Sequence, residues 1–309
     1  MRTDLPLPDR LLGDPAGPVS GTVPTRSGGR RDAVPGAPGR PSLGALRARL
    51  LELAPVVVAF SGGADSAFLA WVANDTLGEA AVAVTAVSPS LAPEEEQDCR
   101  ALAGEWGLHW APVFTDELAD PAYSANDGRR CYWCKTALLD ALAPFTGAGA
   151  TVVLGVNLDD LGDHRPGQKA AAERGAAFPL VDAGFTKADV RAASERLGLR
   201  TWDKPAAACL ASRVPYGTPV TLGVLSSVAR AESALRALGF SQLRVRHYGD
   251  LARLELDGPD LARAVDQREA VVAAVRGAGY SYVTLDLEGF RSGNLNAALA
   301  GVAHAGTRP

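Results

Sequence analysis

The chain has few cysteines and histidines, and it has no long apolar run. Its 309 residues include four cysteines and four histidines, and so few cysteines in a chain of this length do not form the disulfide framework of a small secreted domain. No run of about 18 apolar residues predicts a membrane span, and the N-terminal stretch lacks the apolar segment of a signal peptide. We therefore expect a soluble cytoplasmic protein with reduced thiols and no membrane partner.

The charge also lacks a strong bias of either sign. There are 31 basic and 35 acidic residues, which give a formal net charge of −4. No global field therefore draws the chain to nucleic acid, and we expect no nucleic-acid partner. Hydrophobic residues make up 47% of the chain, which is enough for one large core or two modest ones. Two domains are the expectation.

The two ends of the chain lack a periodic apolar pattern. Residues 1–42 hold 15 prolines and glycines, so this stretch buries too little apolar surface to offset the entropy of ordering it. We predict a disordered tail at 1–42 and a second tail at 293–309.

Between the tails, two kinds of pattern follow one another. Residues 43–205 alternate helical patterns near 65–77, 93–106 and 131–145 with short apolar runs at 55–60, 80–88, 108–113 and 150–156. This alternation predicts an α/β domain with a doubly wound parallel sheet. Residues 206–292 instead carry a helix (222–240), two alternating strands (242–248 and 251–257), a helix (259–276) and a last strand (280–287). That order predicts a smaller α+β domain.

The loop after the first predicted strand has the composition of a phosphate-binding turn. It reads SGGADS, from Ser61 to Ser66, and runs directly into the apolar helix AFLAWVA. Glycines allow positive φ and close backbone approach, and consecutive N–H groups at a helix N-terminus can cradle an anion. The loop has neither the GK[ST] of a Walker A sequence nor the GxGxxG of a dinucleotide site.

This SGGxDS loop resembles that of the PP-loop, or N-type ATP pyrophosphatase, superfamily. The resemblance implies cleavage of ATP between the α and β phosphates, with adenylation of a carboxylate or carbonyl and release of pyrophosphate. Asp65 would hold Mg²⁺ against the phosphates, because a hard cation prefers oxygen ligands. The residues assigned to ATP are Ser61, Gly62, Gly63, Asp65 and Ser66.

A second loop, LGVNLDDLGDHRPG at 154–167, follows another predicted buried strand. Ligands of doubly wound sheets bind at the carboxyl ends of the strands, so this loop should face the same crevice. Gly155 and Asn157 suit a tight turn near the nucleotide, and we assign both to ATP binding. Asp159 and Asp160 are either solvated loop residues and caps or metal-directed carboxylates.

The cysteines do not form a recognisable zinc site. Cys131 and Cys134 form a C-x-x-C, which is compatible with a redox pair, a zinc half-site or cluster ligands. A second C-x-x-C or a histidine pair is missing. Cys99 lies in a predicted amphipathic helix and should pack there. With Cys209, the C-x-x-C makes three thiolates, the number that would leave one iron of a [4Fe–4S] cluster open.

Several ordered blocks over residues 43–300 resemble the LarE family of ATP-dependent sulfurtransferases. They are AFSGGADS, DDLGDHRPGQKAA, FTKADVRAASERLGL, WDKPAAACLASRVPYG, AESALRALGF, RVRHY and YVTLDLEGFRSG. The resemblance implies adenylation of a carboxylate of pyridinium-3,5-biscarboxylic acid mononucleotide and its conversion to a thiocarboxylate, a step in making the nickel-pincer nucleotide cofactor of lactate racemase. It also suggests a homohexamer.

The resemblance carries specific roles to the C-terminal part of the chain. It implies that Ser212 and Arg213 bind phosphate groups, as does the substrate-binding pair Arg244 and Arg246. It also places Glu232 in the acidic part of the site. An arginine fork suits bidentate phosphate contacts, and residues two apart on a strand share a face. Without the resemblance, Arg244 and Arg246 would be interpreted as an ordinary solvated strand face.

The source of sulfur separates two branches of this family. In one branch a cysteine is sacrificed and becomes dehydroalanine, and this chain has Ala208 at that position. The other branch carries a C-x-x-C and a third cysteine that bind a [4Fe–4S] cluster, which delivers a non-core sulfide. Cys131, Cys134 and Cys209 match the second branch, so the resemblance assigns them as catalytic cluster ligands.

The main alternative is a PP-loop tRNA thiolase that uses a three-cysteine [4Fe–4S] cluster. The near-neutral charge, together with the lack of a lysine-rich patch or a terminal zinc-ribbon pattern, argues against it. A nucleotide-binding scaffold with a degenerate loop is disfavoured by the intact SGGADS sequence.

Overall fold

The computed structural model describes residues 41–162, 166–205 and 208–291. Apart from residues 41 and 42, the predicted N-terminal tail lies outside these ranges, as does the whole of the predicted C-terminal tail. Within the described ranges, no helix combines the length and the apolar character that crossing a membrane requires.

The N-terminal part of the chain is an α/β unit built on an all-parallel sheet. Its strands are β1 Val56–Ala59, β2 Ala81–Val87, β3 Trp110–Phe114 and β4 Thr151–Leu154. Each lies within two residues of the predicted strand. The flanking helices are α1 Leu43–Leu53, α2 Ala64–Leu77, α3 Pro93–Trp106, α4 Pro121–Ser124, α5 Arg130–Ala141, α6 Ala143–Gly147, α7 Pro166–Glu173, α8 Pro179–Asp182 and α9 Lys187–Arg196.

Both faces of this sheet are buried along β1, β2 and β4, as the continuous apolar runs predict, whereas the edge strand β3 is mostly half-buried. On one face, Val56 and Val58 belong to the same core cluster as Phe68 of α2. On the other face, Val57 belongs to a cluster with Leu139 of α5. Successive side chains of a strand point to opposite faces, so a strand covered on both sides needs apolar residues at every position.

The strand order creates a crevice at one edge of the sheet. The order is β3-β2-β1-β4, so the chain moves outward from β1 to β3 and then returns to the other side of β1. The connections after β1 and β4 therefore diverge at the carboxyl ends of these neighbouring strands. In open parallel sheets such a reversal point is where ligands bind, and it lies between the two predicted ATP loops.

The C-terminal part is a smaller α+β unit. Its elements are α10 Leu222–Ala237, β5 Leu243–Tyr248, β6 Leu251–Leu256, α11 Gly258–Asp266, α12 Arg268–Gly277 and β7 Tyr282–Leu285. The sheet order is β5-β6-β7, with β5 and β6 antiparallel and β6 and β7 parallel. The tight β5–β6 turn contains Gly249 at φ +62°, a conformation suited to glycine.

Two predicted helices are each divided in the structure. The predicted helix at 131–145 ends at Ala141 and resumes at Ala143, because Pro144 lacks an N–H and its ring clashes with a continuing helix. The predicted helix at 259–276 is interrupted at Gln267. Both of its halves contribute to the core of the C-terminal unit, Ala264 from α11 and Val271 from α12.

Candidate active site

The SGGADS loop closes tightly onto the first turn of α2. The Ser66 Oγ accepts a hydrogen bond from the Ser61 N–H at 3.2 Å and donates one to the Gly63 carbonyl at 3.1 Å. Gly62 has φ +69°, and a Cβ on it would lie 2.9 Å from the Sγ of Cys99. Gly63 caps α2 without a side-chain hydrogen bond, so the first-turn N–H groups remain directed at the crevice. This is the geometry of an anion cradle.

The second loop packs directly against this cradle. A Cβ on Gly155 would lie 2.8 Å from the backbone nitrogen of Ser66, so only glycine allows the end of β4 to approach α2 so closely. Asn157 is fully buried, and its Nδ2 donates to the Oδ1 of Asp65 at 3.1 Å. The two loops predicted to bind ATP are thus in direct contact.

The two aspartates of the second loop have different contacts. Asp159 Oδ2 accepts the backbone N–H of Lys187, the first residue of α9, at 2.8 Å. Asp160 Oδ2 accepts the backbone N–H of Asn157 at 3.2 Å. Asp159 is therefore a cap between loops, whereas Asp160 also lies close enough to Asp65 for its charge to be felt there.

Asp65 lies in the first turn of α2 and faces the second loop through its hydrogen bond with Asn157. Burial raises its pKa, and the negative charge of Asp160 adds to this rise. The hydrogen bond from Asn157 and the positive charges of Lys187 and Arg191 oppose it. A divalent cation would relieve the repulsion between the two carboxylates, and carboxylate oxygens are the ligands that Mg²⁺ prefers. The donor set of Asp65 and Asp160 therefore fits Mg²⁺.

Lys204 lies beneath the same loop, although sequence reasoning did not identify it. Its Nζ is 3.7 Å from the position of a Cβ on Gly62. The Nζ also donates to Glu95 at 2.8 Å and to Asp98 at 2.7 Å, both on α3. The lysine has no motif of its own in the sequence, because its two carboxylate partners lie on a helix about 100 residues earlier in the chain.

The two segments that carry the three cysteines assigned to a cluster pack against each other: Cys134 contacts the apolar cluster that contains Leu210, and Arg130 donates to the carbonyl of Ala211. Cys131 and Cys134 occupy the beginning of α5, and Cys209 immediately precedes a 3₁₀ helix, Leu210–Arg213. The N–H of Leu210 donates to the carbonyl of Ser90, just after β2, at 2.8 Å. Burial is the main reason that the pKa values of Cys131 and Cys134 are raised, and the negative charge of Cys209 adds to both rises.

The thiols differ in their surroundings. Cys131 and Cys209 are exposed, whereas Cys134 is half-buried. Although Cys131 has exposed surface, the surrounding protein partly desolvates its sulfur and so raises the pKa of its thiol, an effect that Arg130 opposes. Burial raises the pKa of Cys134 to about 12. Cys99 is fully buried in the core, as predicted, and burial raises its pKa to about 11.

The three thiols provide a suitable donor set for a cluster that keeps one iron free of protein ligands. All three are reduced and unbridged. Within the described ranges, no three Cys, His, Asp or Glu side chains already stand at positions that would hold a metal ion. Thiols must lose their protons before they bind metal, so binding and local rearrangement occur together.

Arg213, assigned to phosphate binding, is fully engaged by protein groups. Its Nε and Nη2 donate to the two carboxylate oxygens of Glu232 at 2.8 and 3.0 Å, and Glu232 is completely buried. Its Nη1 donates to the carbonyls of Ala208 and Cys209 at 2.6 and 3.2 Å, and to the Ser212 Oγ at 3.1 Å. This guanidinium therefore shapes the loop that carries Cys209.

Arg244 and Arg246 are both buried, so the interpretation of an ordinary solvated strand face is wrong. They do share one face of β5, as their spacing predicts. Arg246 Nη2 pairs with Glu255 at 2.9 Å, and its Nη1 donates to the Ser212 carbonyl at 2.7 Å. Arg244 stacks 4.5 Å above the Phe290 ring.

Of the three arginines assigned to phosphate, Arg244 has the weakest contacts within the protein. Its one hydrogen bond that we describe is a long one, 3.3 Å, to the carbonyl of Arg291. Burial lowers the pKa of Arg244, and the nearby charges of Arg213 and Arg246 lower it further. An anion at this position would relieve that repulsion, which makes Arg244 the best placed of the three to receive a phosphate.

The sequence comparisons are consistent with this geometry. No protein-family model matches the chain. The chain is 48% identical over 252 residues to an uncharacterized protein of Synechocystis sp., covering 80% of this chain and 94% of the relative. It is 25% identical over 239 residues to an uncharacterized protein of Methanocaldococcus jannaschii, covering 77% and 91%.

A third relative has a functional name. The chain is 39% identical over 255 residues to the pyridinium-3,5-bisthiocarboxylic acid mononucleotide synthase of Lactiplantibacillus plantarum, covering 81% of this chain and 92% of the relative. A match of this length extends over parts of both the N-terminal α/β unit and the C-terminal unit. The chain therefore belongs to the LarE family.

Proposed function

We propose that this chain is an ATP-dependent sulfurtransferase that adenylates a carboxylate of pyridinium-3,5-biscarboxylic acid mononucleotide and converts it to a thiocarboxylate. The observation that carries the proposal is the 39% identity to a synthase named for the corresponding bisthiocarboxylic acid. The closed SGGADS cradle and the three neighbouring thiols support it, because the reaction needs both a nucleotide site and a sulfur source.

In the first step, the residues that line the crevice between β1 and β4 would support adenylation of the substrate. A carboxylate oxygen of the substrate attacks the α-phosphorus of ATP, and the bond between that phosphorus and the bridging oxygen breaks to release pyrophosphate. The N–H groups at the start of α2 would stabilise the negative charge that develops on pyrophosphate. Asp65 and Asp160 would hold Mg²⁺ in place against the phosphates. Arg244 would orient the substrate phosphate.

In the second step, sulfur attacks the carbonyl carbon of the acyl-adenylate, and AMP leaves with the electron pair of the broken C–O bond. Cys131, Cys134 and Cys209 would hold a [4Fe–4S] cluster, which when bound would supply sulfide from the iron that lacks a protein ligand. The hydrogen bond from the Leu210 N–H to the Ser90 carbonyl supports this step, because it anchors the Cys209 loop beside the end of β2.

Two measurements test this proposal. Pyrophosphate release should depend on ATP, Mg²⁺ and the pyridinium nucleotide; release that depends on tRNA instead would indicate the tRNA thiolase. Protein purified without oxygen should contain about four iron atoms per chain, the count of one [4Fe–4S] cluster. Cys209→Ala should lose this iron while Cys99→Ala, the matched control, retains it. Active iron-free protein would contradict the cluster. By resemblance to the family we also expect a hexamer, which sedimentation analysis can measure.

A further inference from the structure

A buried pair of polar residues connects the two segments that carry the three thiols. Arg130 directly precedes Cys131, and only 3% of its surface is exposed. Asn126 lies four residues before Arg130, in the turn between α4 and α5, and is completely buried. The guanidinium of Arg130 donates to the Oδ1 of Asn126, so the two side chains form one unit at the start of α5.

This unit is bonded to the loop of Cys209. Arg130 Nη1 donates to the carbonyl of Ala211, two residues after Cys209, at 2.8 Å. The Nδ2 of Asn126 donates to the carbonyls of Pro215 and Thr218, both at 2.8 Å. The main chain adds a further bond, from the Gly217 N–H to the Asn126 carbonyl at 3.1 Å.

The backbone of Asn126 has an unusual conformation in this arrangement. Its φ of +55° is the one left-handed value among the non-glycine residues that the structure describes. Asparagine tolerates this conformation better than most residues. The buried guanidinium would be costly without partners, and its acceptors are a neutral amide and a backbone carbonyl rather than a carboxylate. The guanidinium also lies over the ring of Tyr216, 5.6 Å from its centroid, so a second residue that follows Cys209 in the chain contacts Arg130.

The geometry points to Arg130 as a positioning residue that holds the Cys209 loop against Cys131 and Cys134. Its backbone belongs to the first segment, while its side chain donates to the second. Cys131 and Cys134 are kept together by helix α5 itself, since residues three apart are neighbours on a helix. Arg213 shapes the Cys209 loop locally, but the place of Cys209 relative to Cys131 and Cys134 depends on tertiary contacts such as this one. The inference rests on the proposed function, because it gives the three thiols a common task.

The test measures thiol proximity in reduced, iron-free protein with dibromobimane, which becomes fluorescent when it bridges two thiols. Peptide mapping separates two products, the link within α5 between Cys131 and Cys134 and the links from either of them to Cys209. The first product is an internal control, because it does not depend on Arg130. The ratio of the second product to the first reports how well the Cys209 loop is docked.

We compare Arg130→Gln with Arg129→Gln, which removes the same charge from the neighbouring position. Arg129 is 70% exposed and pairs with Asp127, away from the Cys209 loop. In Arg130→Gln the ratio should fall by about tenfold, the effect of removing one buried charge-assisted hydrogen bond. Arg129→Gln should keep the wild-type ratio. Arg130→Lys, which retains the charge and one donor, should recover part of the loss.

Several outcomes decide between the two proposals. A wild-type ratio in Arg130→Gln, or a ratio in Arg130→Lys no higher than in Arg130→Gln, would overturn the positioning role even if iron content falls. If the wild-type protein binds no iron but the ratio still falls in Arg130→Gln, the cluster proposal fails and the positioning role stands. Should Arg130→Gln not fold, Arg130→Lys must give a ratio below that of Arg129→Gln, and an equal ratio would overturn the assignment.

Discussion

The contact between Gly155 and the start of α2 yields the sharpest prediction about the nucleotide site. In Gly155→Ala, the new Cβ would lie 2.8 Å from the Ser66 nitrogen and 2.9 Å from the carbonyl carbon of Asp65. Ordinary contact begins at 3.4 Å, so the first turn of α2 must move away by about 0.6 Å. All the atoms involved belong to the backbone, and no rotamer change can relieve the overlap.

Two quantities should change together in this variant. Overpacking of this kind should lower the free energy of unfolding by about 1–3 kcal/mol, measured by urea denaturation. Displacement of the first-turn N–H groups should slow pyrophosphate release by about tenfold or more, since a shift of about 1 Å at a catalytic group can cost a hundredfold.

Gly104→Ala is the matched control for this experiment. Gly104 lies within α3, and a Cβ there would meet nothing within 4 Å. This change should raise the free energy of unfolding by about 0.5–1 kcal/mol, because alanine loses less backbone entropy in a helix. It should leave pyrophosphate release unchanged. If Gly155→Ala releases pyrophosphate at the wild-type rate, the close approach of the two loops does not shape the cradle and the reasoning is refuted.

Two further predictions concern buried charges. Glu232→Gln leaves Arg213 buried without its carboxylate partner, and it should lower the free energy of unfolding, measured in urea, by about 3–5 kcal/mol. The matched change at an exposed glutamate, Glu288→Gln, should lower it by less than about 1 kcal/mol. Equal losses would contradict a stabilising role for the buried pair. Burial raises the pKa of Asp65 above its value in the unfolded chain. Ionisation of Asp65 therefore lowers the free energy of unfolding at pH values above the raised pKa, and this loss disappears at low pH, where the carboxyl is protonated in both states. Asp65→Asn should therefore raise the melting temperature at pH 7, and this gain should disappear as the pH falls. The same change should abolish Mg²⁺-dependent pyrophosphate release. An unchanged melting temperature at pH 7 would be inconsistent with a raised pKa of Asp65.

The architecture of the N-terminal α/β unit could be predicted because the sequence patterns that specify it are local. Runs such as VVVA in β1 are apolar at every position, and only a strand covered on both faces requires this. The SGGADS loop follows such a strand and precedes a helix, so its place at a carboxyl edge follows from the chain alone. The break at Pro144 was also present in the sequence and should have ended the predicted helix there.

Burial of the arginines could not be predicted from their own strand. The spacing of Arg244 and Arg246 correctly places them on one face, because the side-chain period of a strand is two. Whether that face is solvated depends on what covers it. The covering groups include the Ser212 carbonyl and Glu255, which come from a loop before the domain's first helix and from the neighbouring strand.

The sequence by itself determined the strands, the longest helices, the turn between β1 and α2 and the family to which the chain belongs, because each of these depends on residues close together in the chain or on ordered motifs. Only the tertiary structure decided which distant residues share a site. The loop that carries Cys209 is joined to the start of α5, which carries Cys131 and Cys134, by packing and by the hydrogen bonds of Arg130 and Asn126. Such contacts join groups whose spacing in the chain carries no periodic signal, so they exist only once the elements have packed.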